Sequence, residues 1–133
     1  MPPKLTDKKQ LPLPKLLKRA QDTFNAYIRL RDCEKGCISC GGPVEQAGHY
    51  FSAGHHSLLR FNEVNVNGQC VRCNCFLHGN LIHYRSGLLK RYGEPKLLYL
   101  ESVARRTVKK WSRVELEAII QLYREEATKI ARF

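Results

Sequence analysis

The chain has 133 residues, enough for one domain with a modest core. It carries 23 Lys and Arg against 12 Asp and Glu, a formal charge of +11, which favours a polyanionic partner, nucleic acid first and an acidic membrane surface second. No apolar run approaches the roughly 18 residues that a membrane span needs, and the N-terminus lacks the apolar core of a secretory signal; the expected location is therefore the cytoplasm, where six reduced cysteines point to metal before disulfides.

The charge is unevenly placed. Residues 1–36 hold nine basic and four acidic side chains, residues 81–133 hold twelve and six, and residues 37–80 hold two of each. The cysteine-rich middle is neutral, so the flanks are expected to supply phosphate contacts.

A single domain over 1–133 is expected, mainly α with one small β-hairpin. Residues 1–13 read as a flexible basic tail. Pro14 suits the first turn of a helix over 14–32, with Leu16, Leu17, Ala20, Phe24, Tyr27 and Ile28 on one face. Residues 33–92 read as a zinc-knuckle module. Within it, 43–51 is expected to form a hairpin carrying His49, and 58–66 has no clear period. Cys70–Cys73 is expected to open a helix through about Leu77. Asn80 is placed to cap the next helix, with Leu81, Tyr84, Leu88 and Tyr92 inward. The C-terminal helices occupy 94–133: a short one from Pro95 to about Arg106, then a long one opened by the capping box Ser112-Arg-Val-Glu115. The long one turns Leu116, Ile119, Ile120, Tyr123, Ala127 and Ile130 inward.

Two Cys-x-x-C pairs, Cys37/Cys40 and Cys70/Cys73, have the spacing of a four-thiolate Zn2+ site. Zinc suits them because it accepts tetrahedral geometry and has no redox chemistry. Cys33 and Cys75 are read as non-ligands. A knuckle, a hairpin and a helix starting at a second knuckle make a treble clef.

The stretches G-H-Y around His49, N-V-N-G-Q-C-V-R-C-N from Asn65 to Asn74, and G-N-L-I-H-Y-R from Gly79 to Arg85 resemble the HNH, or ββα-metal, nucleases with zinc knuckles. Within that superfamily they are most similar to the phage NinG (Rap) recombination proteins. The resemblance covers about Leu30 to Gly93. It implies a structure-specific endonuclease acting on branched or Holliday-junction DNA in phage recombination, working as a homodimer beside phage or host recombination proteins.

Residue by residue, the resemblance makes His49 the general base, since a neutral imidazole can take a proton from water. It makes Asn74 a ligand for a catalytic Mg2+ or Mn2+. It gives Asn65 the role of bracing the hairpin loop behind the catalytic groups. His78, one helical turn after Asn74, is a further metal-ligand candidate. Arg60 and Arg72, the basic residues of 37–80, and Arg85 on the helix that follows are candidates for DNA contact. Gly48 departs from the family pattern, in which Asp or His often precedes the base as a metal ligand. A generic HNH nuclease or nickase, or a non-catalytic zinc-finger adaptor, would share the zinc site and the charge.

Overall fold

The computed structural model describes residues 10–106 and 108–132; residues 1–9 of the expected tail lie outside them. The order is α1 (Leu13–Asp32), β1 (Gln46–His49), a 3-10 turn (Ser57–Leu59), β2 (Val66–Gln69), a single π-helical turn (Arg72–Phe76), α2 (Leu81–Tyr92), α3 (Glu94–Val103) and α4 (Arg113–Ala131). The chain is thus mainly α with one two-stranded antiparallel sheet. None of the described helices is long and apolar enough to cross a membrane.

The outer helices form because their apolar residues recur at helical spacing and meet each other. α1 buries Leu16, Ala20, Phe24, Tyr27 and Ile28, and α4 buries Leu116, Ile120 and Tyr123 in the same cluster. Each such side chain contributes about 1.5–3 kcal/mol when fully buried. Phe24 sits edge-on to Tyr123 at 4.6 Å and to Phe61 at 5.7 Å, so the strand-linking loop is packed into the helix pair. The capping box forms as the sequence predicts: the Glu115 N–H donates to Ser112 Oγ at 3.2 Å and the Ser112 N–H to Glu115 Oε1 at 3.0 Å.

The hairpin differs from expectation. Residues 43–51 supply one strand only; its partner is β2, with Gln46 opposite Gln69 and His49 opposite Val66. The long connection between them, residues 50–65, contains the 3-10 turn. All four residues of β2 are buried, including the polar Asn67 and Gln69. Side chains alternate between faces along a strand. Ala47 and Val66 therefore pack into the α1–α4 core. Gln46, Gly48, Asn67 and Gln69 share the other face.

After the second knuckle the expected helix through Leu77 is reduced to the single turn ending at Phe76. His78, Gly79 and Asn80 then take positive φ in succession, at 50, 93 and 47°, which breaks any helix. Asn80 takes the N-cap position of α2, with its carbonyl accepting from the Tyr84 N–H at 2.8 Å, but its side chain makes no capping bond; its amide instead donates to Cys73 Sγ at 3.4 Å. In α2, Tyr84 and Leu88 are buried as expected, while Leu81 is exposed. Gly87 has a specific reason to lack a side chain: a Cβ there would lie 2.0 Å from the Ile38 carbonyl oxygen. The missing side chain lets α2 press onto the first knuckle, despite a helix cost of about 1 kcal/mol. Leu97 and Leu100 of α3 complete a second core with Ile38, Leu59, Tyr84 and Leu88.

Candidate metal and catalytic site

The four paired cysteines converge. Their Sγ atoms all lie within 4.8 Å of one another, and Cys40 and Cys70 are 3.7 Å apart. Thiolates on one tetrahedral zinc, with Zn–S near 2.3 Å, stand about 3.8 Å apart, so the cluster fits that ion. Cys37, Cys70 and Cys73 are buried and Cys40 is exposed. The N–H groups of Gly42 and Cys73 point at Cys40 and Cys70 Sγ, each at 3.4 Å. With the Asn80 amide on Cys73, these donors suit sulfur that carries negative charge. Cys33 and Cys75 are exposed and stand outside the cluster.

His49 ends β1. Its Nε2 lies 3.0 Å from the Arg60 carbonyl oxygen. A carbonyl only accepts, so Nε2 carries the hydrogen and Nδ1 keeps its lone pair. The Gln21 amide nitrogen also comes within 3.4 Å of Nε2, but in this tautomer it donates to Asn25 Oδ1 and towards the same carbonyl instead. Burial pushes the imidazole pKa below its ordinary value; the bond to the Arg60 carbonyl opposes this and the Arg60 charge reinforces it. The ring is therefore neutral at pH 7, with a basic nitrogen available. Arg60 Nη1 donates to Gln21 Oε1 at 3.2 Å, and its buried Nε has no partner.

Asn65 is wholly buried and acts as a clamp. Its Nδ2 donates to the carbonyls of Phe51 and Leu59 at 3.0 and 3.1 Å, and its Oδ1 accepts from the Phe51 N–H at 2.8 Å. It ties both sides of the connection that carries Arg60, and so holds the carbonyl that orients His49. Tyr84 is a core residue that also fixes β1 from the other side, where its hydroxyl donates to the Gly48 carbonyl at 2.7 Å.

Asn74, on the π-turn, donates from Nδ2 to Gln46 Oε1 at 2.8 Å. Its Oδ1 lies 2.8 Å from the point where a Cβ on Gly48 would stand. His49 and Asn74 thus approach the end of β1 from opposite faces, one residue apart along the strand. His78 is exposed and follows the break in the helix, so the register that would stack it over Asn74 is not formed. Arg72 is exposed beside Cys73. Arg85 is occupied by an ion pair with Glu101 at 2.8 Å.

Comparison with known proteins decides the family. The family profile described as Bacteriophage Lambda NinG protein matches residues 4–132. The chain belongs to the NinG family. It is 40% identical to Protein ninG of Escherichia phage lambda over 113 residues, covering 83% of this chain and 54% of that relative. Over the same length it is 39% identical to Protein ninG of Salmonella phage P22, covering 83% and 55%. The chain spans about half the length of the curated relatives it matches. No solved structure matches it.

Three polar groups around this NinG site were not legible in the sequence. Asp32, at the end of α1, is fully buried; it accepts from Arg31 Nε and Nη2 at 2.8 and 3.0 Å and from the Gly68 N–H at 2.8 Å. Burial alone would raise its pKa, but these hydrogen bonds and the Arg31 and Arg91 charges hold it below the usual carboxylate value. Glu63 accepts from the hydroxyls of Tyr27 and Tyr123, both at 3.0 Å, which joins α1, α4 and the loop. Gln69, the last residue of β2, is the third. An acid at a helix end and a Gln before a cysteine carry no local signal of burial.

Proposed function

We propose that this protein is a divalent-metal-dependent DNA endonuclease of the HNH type, acting on branched DNA such as a Holliday junction. The observation that carries the proposal is the His49 tautomer. Its Nε2–H is committed to the Arg60 carbonyl, so Nδ1 is left as a base at the half-buried end of β1. Orienting an imidazole through one nitrogen so that the other works as a base is what a hydrolase requires.

His49 Nδ1 takes a proton from the water that attacks phosphorus, a contribution of about 10²–10⁴-fold in rate. Arg60, next to that imidazole, is placed to meet charge on the phosphate. Asn65 holds the Arg60 carbonyl in position and touches no reacting atom. Asn74 Oδ1 is a neutral oxygen donor of the kind that Mg2+ or Mn2+ accepts while keeping waters and phosphate oxygens. Such an ion, when bound, supplies Lewis-acid polarisation of the phosphate and stabilises the 3′ leaving oxygen. The zinc cluster is closed by four thiolates and serves the scaffold.

Beyond Arg60, phosphate contacts come from residues flanking the neutral stretch 37–80. A groove between the first knuckle and α2 is lined by Lys35, His83, Lys90 and Arg91 and by no carboxylate, which suits a nucleic-acid backbone. Binding is expected to weaken steeply with salt. Two cuts at a junction call for a homodimer, and recombination proteins of phage or host are the expected partners.

The test is incubation with a labelled four-way junction and a linear duplex in Mg2+, Mn2+ or EDTA. Metal-dependent cutting that favours the junction is the expected result. Equal cutting of both substrates would point to a generic HNH nuclease. Binding without cutting in either metal would leave a zinc-finger adaptor and overturn the proposal.

A further inference from the structure

Gly48 stands where a metal-binding side chain would be expected, and the space beside it is already filled. A Cβ built on Gly48 would lie 1.7 Å from Gln69 Oε1 and 2.8 Å from Asn74 Oδ1. Gln69 reaches this point from β2, across the sheet face it shares with Gly48. The side chain is wholly buried, and its Oε1 has no hydrogen-bond partner.

The orientation of this amide is fixed by its other end. Gln69 Nε2 donates to the Gly79 carbonyl at 2.8 Å and to Ser39 Oγ at 2.9 Å. Gly79 O can only accept, so the nitrogen must face it and the oxygen must face Gly48. A buried acceptor left bare is costly and rare in folded proteins. Here the Asn74 amide oxygen lies beside the same point next to Gly48, with its own nitrogen turned away to Gln46. Two acceptors converging without a donor are matched by a cation.

The geometry points to a divalent-cation site built from Gln69 Oε1 and Asn74 Oδ1, with Gln69 supplying from the neighbouring strand the ligand that Gly48 cannot. Both oxygens lie within 2.8 Å of the same point beside Gly48 and would be the protein ligands of such an ion. Both are neutral, so the site suits a hard cation that keeps waters and takes its remaining ligands from substrate phosphate. Gly48 and Gln69 are then a matched pair: a side chain at 48 and a glutamine at 69 exclude each other. The inference rests on the nuclease function proposed above, since it gives that site its second protein ligand.

The experiment reads Mn2+ binding directly, without DNA or cleavage. Paramagnetic broadening of the Asn74 and Gln69 side-chain amide signals is followed by NMR as Mn2+ is added to the zinc-loaded 133-residue chain. In the wild type both amides broaden first and together. Gln69→Ala is expected to require at least about tenfold more Mn2+ to broaden Asn74. Gly48→Asp in that background is expected to restore or exceed wild-type binding, because the space for its carboxylate is then free. Zinc content and the backbone amide spectrum report whether each variant is folded; the double variant, which refills the space, guards against a loss caused by the cavity alone. Wild-type-like broadening in Gln69→Ala, with Asn74→Ala abolishing it, would overturn the role of Gln69 and leave the nuclease proposal standing. No selective broadening in the wild type would show that the two amides merely pack together and would overturn the site, whereas the nuclease proposal falls only with the junction-cutting assay.

Discussion

Asp32 makes a quantitative demand on the fold. Its carboxylate is wholly buried and takes two hydrogen bonds from Arg31 and one from the Gly68 N–H. Arg31 in turn donates to Val66 O, Asn67 Oδ1 and Glu63 O. One acid therefore fastens the end of α1 to β2 and, through Arg91 at 3.6 Å, to α2. Lys35, at 3.8 Å and half exposed, adds little by comparison. Asp32→Ala strips the part-buried Arg31 guanidinium of its nearer counter-charge, with only Glu63 left at 3.8 Å, and leaves the Gly68 N–H unpaired. Breaking a buried pair in this way costs about 3–5 kcal/mol, a large part of the roughly 5–15 kcal/mol that holds a domain together.

For a chain of this size that loss lowers Tm by on the order of 15 °C, read by circular dichroism on zinc-loaded protein at pH 7. Acid adds a second readout. The folded pKa of Asp32 lies below its unfolded value, so its contribution is complete above the unfolded value, near 3.9, and is lost as pH falls through the folded one. The variant should therefore lose less stability than the wild type between about pH 5 and pH 2. A fall in Tm of less than about 3 °C at pH 7 would refute the assignment of Asp32 as the joint between α1 and the sheet.

Two further outcomes concern the metal scaffold and the base. Cys70→Ser should abolish zinc binding and, because structural zinc contributes about 10–16 kcal/mol in small domains, unfold the module by NMR and proteolysis; a folded, zinc-free variant would contradict the assignment. The His49 pKa is lowered chiefly by burial. Nuclease activity should therefore rise with pH to a plateau whose midpoint lies below the ordinary histidine value near 6.5. Stability linked to this ring is complete above the unfolded pKa and declines as pH falls through 6.5 towards the folded value. A midpoint above 7 in the pH–rate profile would count against a buried, neutral base.

The outer helices and the four-cysteine cluster were legible because their signals are local. The stripe from Leu16 to Ile28 and the Ser112–Glu115 box act within one or two turns, and the Cys-x-x-C spacing is itself the chelate geometry. β2 was not legible because Val66-Asn-Gly-Gln69 is polar yet buried on both faces. Its pattern reflects partners far along the chain: Asn67 bonds Tyr84 and Tyr92, and Gln69 bonds Ser39 and Gly79. The same holds for the site. His49 and Asn74 were named from the family pattern, but the carbonyl that sets the His49 tautomer and the amide that fills the space beside Gly48 are long-range contacts without a sequence mark. His78 was placed by assuming a helix that three successive positive φ values end.

The most direct measurement is the initial rate of cutting a labelled four-way junction in Mn2+ by the wild type and by His49→Ala, at matched zinc content and matched junction binding. A base oriented through the Arg60 carbonyl predicts a rate loss of about 10²–10⁴-fold in the variant, with binding and zinc unchanged. Equal rates for the two proteins would contradict it.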